Sequence, residues 1–195
     1  MNIYLASKSP RRQSLLTQME VEFEILPIDT PEIVAPGEDP KTYSQRVTQE
    51  KLQAAWDKIL IENLEPMPVL CADTEVVLDG VILGKPKDKN DAFQMIKSYA
   101  GKTHEVLTSV GITYYKYQKI ETTQTLVTFS SMTDMDIIHY LSSGNYKDKS
   151  GGYGIQSYIG QFISRIDGCF YSVMGLPLNQ VRTMLNELKD CLLED

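Results

Sequence analysis

Near the N-terminus, Ser7-Lys8-Ser9-Pro10-Arg11-Arg12 follows a short strand-like run from Asn2 to Leu5. Ser9 before Pro10 is a helix start, with serine as N-cap and proline at the first helical position. Arg11 and Arg12 then fall in the first helical turn, where the backbone dipole disfavours cations. An anion seated among the free N–H groups would account for them, and so would a solvated surface. A strand, a Ser-rich turn and a helix N-terminus together make a phosphate-sized site. The sharpest single carboxylate is Asp73. It follows the continuously apolar Val69-Leu70-Cys71-Ala72, which reads as a strand buried on both faces and ending at Asp73-Thr74. An acid just past such a strand lies at the edge where α/β sheets keep ligands. There it could take a proton from water or hold a divalent cation; a turn or helix-cap aspartate is the alternative.

Three further residues keep company with these. Lys51 sits in the stripe of Tyr43, Val47 and Ala54, an unusual place for a lysine unless its stem packs and its head reaches a site or solvent. Lys85 lies in the turn Gly84-Lys85-Pro86. In the loop Ser150 to Gln156, Gly151, Gly152 and Gly154 permit close backbone approach to a ligand. The Gln156 amide both donates and accepts, and can read the imide edge of uracil or thymine; a structural turn accounts for this loop equally well. His104 and His139 have no metal-like spacing and read as structural.

The elements that must position these groups are legible from period and punctuation. Leu15, Leu16 and Met19 give the first helix an apolar face. Phe23 to Leu26 reads as a strand, and Asp39-Pro40 starts a helix reaching about Leu60. Glu75 to Leu78 and Val81 to Leu83, joined by Asp79-Gly80, predict a hairpin. Asp91 to Tyr99 is a helix stopped by Gly101. Alternation from His104 to Ile112 predicts a strand, with Thr122 to Phe129 as its antiparallel partner. Thr133 with Asp136 resembles a capping box for a helix that ends near Gly144. Phe162 to Ile166 and Cys169 to Met174, about Asp167-Gly168, predict a second hairpin. The last helix shows Val181, Met184, Leu185, Leu188 and Leu192 on one face. The order of elements predicts an α/β protein with a mixed sheet.

At 195 residues, with 42% hydrophobic and 23% charged residues, the chain can bury one substantial core or two small lobes. A net charge of −7 argues against binding nucleic-acid polymers or anionic membranes, so a phosphate ligand needs a local positive cluster. Cys71, Cys169 and Cys191 show no pairing or zinc spacing, which suits a reducing compartment. Neither a signal peptide nor a membrane span is evident, and the cytoplasm is the expected location.

Taken together and in order, Ser7-Lys8-Ser9-Pro10-Arg11-Arg12, Ala72-Asp73-Thr74, Gly84-Lys85-Pro86, Gly101 with His104 and Val106, Asp148-Lys149, Tyr153-Gly154-Ile155-Gln156 and Gly175-Leu176-Pro177-Leu178 resemble the Maf family of nucleoside triphosphate pyrophosphatases. The resemblance runs from about Ile3 to Leu185. The Ser-Pro-Arg-Arg form, Asp73-Thr74 and the loop from Asp148 to Gln156 are similar to the subgroup acting on dTTP and UTP. The resemblance implies a curved mixed sheet with flanking helices, similar to inosine triphosphate pyrophosphatases. It implies one Maf-like domain over residues 1–195, with two lobes about a cleft, and a homodimer. Asp73 would be the proton acceptor. Arg11, Thr74 and Gln156 would govern substrate choice, while Arg12, Lys51 and Lys85, with Ser7, would bind the triphosphate. Mg²⁺ or Mn²⁺ would be held by Asp73 and a second acid, Asp29 or Glu32, since the family's usual glutamate after Leu26 is displaced here. Ser150 and Gly152 stand where alanines are usual, and Ala100 where serine is. The implied reaction yields a nucleoside monophosphate and pyrophosphate. The rival expectations are a nucleotide-binding cell-division regulator with little turnover, or a preference for methylated GTP or CTP.

Overall fold

The computed structural model describes residues 1–194. The chain runs β1 (Ile3–Leu5), α1 (Pro10–Gln18), β2 (Phe23–Ile25), α2 (Pro40–Ile61), β3 (Val69–Leu78), β4 (Val81–Leu83), α3 (Lys89–Tyr99), β5 (Thr103–Tyr114), β6 (Tyr117–Phe129) and α4 (Asp134–Ser142). Two 3₁₀ turns, Ser150–Gly152 and Tyr158–Phe162, then lead into β7 (Ile163–Asp167), α5 (Phe170–Val173) and α6 (Leu178–Glu194). The strands form one mixed seven-stranded sheet, ordered β2-β1-β3-β5-β6-β7, with β4 paired to β3. β1 runs parallel to β2 and β3, and the remaining pairs are antiparallel. This is the expected α/β architecture of a mixed sheet with flanking helices. Among the described residues no helix is long and apolar enough to cross a membrane.

Alternation along β3 sorts the core. Val69 and Cys71 pack with Leu52, Ala55 and Ile59 of α2, whereas Leu70, Ala72, Val76 and Leu78 join the larger cluster with Leu15, Ile96, Tyr140 and Leu188. Successive side chains of a strand point to opposite faces, so odd positions meet α2 and even positions meet the other helices. Helix α2 lies close on the sheet at Gly111. A Cβ there would stand 2.7 Å from Leu52 Cδ1 and 3.0 Å from Thr48 Cγ2. The missing side chain lets α2 sink, and Lys51 sinks with it. Asp39 caps α2 through Lys41 N and Thr42 N, and Thr133 and Asp136 form the expected capping box of α4. Asp79 and Gly80 both take positive φ, as the tight β3–β4 hairpin turn requires.

Three local expectations are corrected. Strand β3 does not end at Asp73 but continues to Leu78, and Asp73 pairs with Ser109 in mid-strand. Cys169 to Met174 is not a strand. Cys169 N donates to Thr125 Oγ1, and Ser172 Oγ donates to Cys169 O, winding the segment into the short α5. Ser9 stands at the N-cap position of α1 without a side-chain hydrogen bond, so proline at the first position carries that start.

Candidate active site

The mid-strand place of Asp73 puts its carboxylate on the α2 side of the sheet, where it is buried. The stripe of Tyr43 and Val47 brings Lys51 directly over it. Lys51 Nζ donates to Asp73 Oδ1 at 2.6 Å and to Glu32 Oε1 at 2.6 Å. Lys85 Nζ donates to Glu32 Oε2 at 2.9 Å. A continuous series of ion pairs therefore runs Asp73–Lys51–Glu32–Lys85. Burial alone would lower the Lys51 ammonium, but Asp73 and Glu32 carry it above its ordinary value in spite of Arg12. Burial likewise pushes Glu32 upward, but Lys51 and Lys85 override it and hold the acid down at about 2. Asp73 Oδ2 is buried and accepts from no cation or backbone N–H among the described residues.

Arg12 joins this group from α1. Its Nε donates to Gly175 O at 2.9 Å, and its two terminal nitrogens donate to Ser7 Oγ at 3.1 Å and Thr74 Oγ1 at 3.3 Å. Ser7 also accepts from Ser9 N at 3.2 Å, so the Ser-rich turn holds the guanidinium. Burial lowers the Arg12 pKa and Asp73 opposes that shift. The sequence pattern suggests that four cations surround Asp73. The structure brings together Arg12 and Lys51, with Lys85 reached through Glu32. Arg11 is instead affected chiefly by burial, then by Arg12 and Tyr140. Of the two candidate second acids, Glu32 enters the group; Asp29 is exposed and makes no side-chain hydrogen bond among the described residues.

Sequence reasoning missed Glu75. Two residues beyond Asp73, it shares the same face of β3 and is equally buried. Burial first, and the charge of Asp73 second, push its carboxyl well above the ordinary carboxylate range. The available signal was a second acid two positions on within an otherwise apolar run.

The glycine loop docks against β3 and β4. Ser150 Oγ lies 2.9 Å from Glu75 Oε2 and 3.1 Å from Leu83 O, and Gly151 N donates to Gly84 O at 3.0 Å. Gly151 has φ +68°, and a Cβ there would stand 2.8 Å from Val76. Tyr99 Oη donates to Gly151 O at 2.7 Å, and Gly154 N donates to Tyr140 Oη at 3.2 Å. Gln156 ends this stretch, exposed and free of side-chain hydrogen bonds among the described residues.

His104 supports the loop from below. Its Nε2 lies 2.8 Å from Tyr153 Oη, and its Nδ1 is buried without a partner. It sits among Tyr99, Phe129 and Tyr153, and burial pushes its pKa down to about 4. A group depressed in the folded state adds stability above its unfolded pKa of about 6.5, and that stability drains as pH falls through the folded value. Between pH 6.5 and 4 the chain should therefore lose up to about 3 kcal/mol from this imidazole. Urea denaturation at both ends of that window should show a smaller acid loss for His104→Gln than for the unaltered chain; equal losses would assign the effect elsewhere.

Residues 2–188 match the profile of the family described as Maf-like protein. The chain is 43% identical over 183 residues to the dTTP/UTP pyrophosphatase of Syntrophomonas wolfei, covering 93% of this chain and 94% of that one. It is 42% identical over 185 residues to the dTTP/UTP pyrophosphatase of Aliivibrio fischeri, covering 95% and 97%. In three dimensions it resembles the Staphylococcus aureus Ham1 protein, with a TM-score of 0.51 over 96% of this chain and 99% of that one, at 12% identity.

Proposed function

The chain belongs to the Maf family, and from that membership we propose that it is a nucleoside triphosphate pyrophosphatase cleaving dTTP and UTP to the monophosphate and pyrophosphate. The observation that carries this reading is Asp73. It is a buried carboxylate shared between Lys51 and Glu75, and Arg12 and the Glu32–Lys85 pair stand alongside. The pyrimidine preference comes from the names of the relatives, and the Gln156 amide suits it.

In the proposed reaction, a water oxygen bonds to the α-phosphorus and its proton passes to Asp73. The bond from the α-phosphorus to the bridging oxygen breaks, and its electron pair leaves on pyrophosphate. Such chemistry needs positioning and charge neutralisation more than covalent help. Arg12, Lys51 and Lys85 supply three cationic contacts for the triphosphate, and Ser7 braces Arg12. Lys51 and Lys85 are held ready on Glu32, whose exposed edge lets phosphate oxygens compete for them. Arg11, Thr74 and Gln156 are assigned to substrate choice.

The residues fit a divalent cation of the Mg²⁺ or Mn²⁺ kind. The buried Asp73 carboxylate, shared between Lys51 and Glu75, offers a hard-oxygen donor, and Glu32 is the second acid within the same ion-pair network. Among the described residues no group of three or more His, Cys, Asp or Glu side chains is arranged to hold a metal ion. That sparse donor set suits a cation that keeps waters and binds through one or two carboxylates together with substrate phosphates. When bound, such a cation would polarise the α-phosphate and acidify the attacking water.

Pyrophosphate release, measured for each common nucleoside triphosphate and for methylated GTP with Mg²⁺ present, tests the proposal. Release chiefly from dTTP and UTP is the expected result. Binding of several nucleotides with release from none would replace it with a regulator, and preferential release from methylated GTP or CTP would reassign the base.

A further inference from the structure

Arg11 and Arg12 are adjacent in sequence and serve different neighbourhoods. Arg12 is fixed by Ser7, Thr74 and Gly175 on the Asp73 side. Arg11 instead acts on Tyr140 and Lys149. Tyr140 accepts from Gly154 N, so the phenol whose charge bears on Arg11 also fixes the loop leading to Gln156. Lys149 lies along that same loop. Its Cε is 3.0 Å from where a Cβ on Gly154 would stand, so the glycine is what admits the lysine stem. Among the described residues its Nζ donates only to a backbone carbonyl, that of Lys147 at 3.3 Å.

Burial lowers both cations, and Arg11 lowers Lys149 further; Asp148, its neighbour in the chain, opposes this weakly. Among the described residues neither Arg11 nor Lys149 makes an ion pair with a carboxylate, although the chain carries 26 acids. Two positive groups gathered in a half-buried place without a counter-ion favour an electron-rich acceptor from outside. Lys149 flanks Gly154, two residues before Gln156 in the same loop, which points to the base and not to the scissile phosphates.

We propose that Lys149 is a specificity-determining residue that donates to the 4-carbonyl of uracil or thymine. This rests on the pyrophosphatase reading above. The Gln156 amide matches the imide N–H and one flanking carbonyl, which leaves the other carbonyl in need of a donor. An ammonium group has donors and no acceptor. It therefore rewards the carbonyl of uracil and opposes the amino group that cytosine carries at that position. A site built to hydrogen-bond one substrate group rejects the analogue that lacks it far better than a hydrophobic pocket can.

Lys149→Met keeps the length of the stem and removes the charge. The values of kcat/KM for UTP and CTP, together with inhibition by inorganic tripolyphosphate, form the test. The preference for UTP over CTP should fall by about tenfold or more, nearly all of it through UTP, with tripolyphosphate inhibition unchanged. Retained CTP hydrolysis at the level of the unaltered chain would show that the variant is folded. An unchanged UTP-to-CTP ratio would overturn the proposal. So would parallel losses on both nucleotides with weaker tripolyphosphate inhibition, which would place Lys149 on the phosphates. Failure of the pyrophosphatase reading itself appears separately, as an unaltered chain that releases pyrophosphate from no nucleotide.

Discussion

Asp73→Asn should lower kcat for dTTP and UTP by on the order of 10²–10⁴-fold while leaving substrate affinity within a few-fold of the unaltered chain. The amide has the shape of the carboxylate and can still accept from Lys51, so the ladder around position 73 persists. Lys51 retains Glu32 as a counter-ion at 2.6 Å, and the buried ammonium is not stranded. What disappears is the ability to receive a proton from water, together with the negative donor that the buried carboxylate offers a cation. Single-turnover hydrolysis and equilibrium binding of dTTP separate the two effects. Hydrolysis by the amide variant at near the ordinary rate would remove Asp73 from the chemistry.

Removing the ammonium should be harsher on stability than removing the acid. In Lys51→Met the stem still lies on the stripe with Val47 and Ala55, but Asp73 loses its ammonium partner and Glu32 keeps only Lys85. Glu75, which burial and Asp73 keep protonated at neutral pH, adds no third charge. Breaking a buried ion pair by deleting one partner typically costs about 3–5 kcal/mol, because the remaining charge is left uncompensated. Urea denaturation at neutral pH should show a loss of that size, and the affinity for triphosphate should fall as well. The sign of the pH dependence is fixed by Glu32, which the native lysines hold at about 2. A depressed acid contributes stability above its unfolded pKa near 4.5 and loses it as pH falls through the native value. The gap between the unaltered chain and the variant should therefore narrow from pH 4.5 toward pH 2. A gap that stayed constant or widened would show that the ion pairs do not hold this region.

Much of this was legible before any coordinates. Strand β6 announces itself because alternate residues Thr125, Val127 and Phe129 are buried. Strand β5 is buried on both faces from Val106 to Thr113 and shows its period of two only through residue type. Caps at Asp39 and Thr133 and the Asp79-Gly80 turn are local chemistry that tertiary structure does not overrule. Lys51 stood out because an ammonium on an apolar stripe needs a partner, and that partner proved to be Asp73. The extent of β3 was not legible. Asp73, Thr74 and Glu75 interrupt the apolar run like the end of a strand, and only α2 overhead explains why polar groups persist in mid-sheet. Cys169 to Met174 misled for the complementary reason. Its apolar residues suit a strand, but the Thr125 hydroxyl of distant β6 winds it into a turn. Glu75 went unnoticed because its neighbours were assigned to a hairpin. The separation of Arg11 from Arg12 depends on which loop each one meets, and adjacency in sequence carries no trace of that.

The central position of Asp73 in β3 has a further consequence. Its backbone is gripped by β5 through an unbroken register from Val69 to Val77, whereas Gln156 and Lys149 lie in the loop beside two short 3₁₀ turns, outside any strand or helix. On the proposed assignment, chemistry and discrimination thus stand on supports of unequal stiffness. Mild heat or denaturant loosens loops before ladders, so the molecule would become less choosy while it is still fast: errors in what is destroyed would precede any failure to destroy.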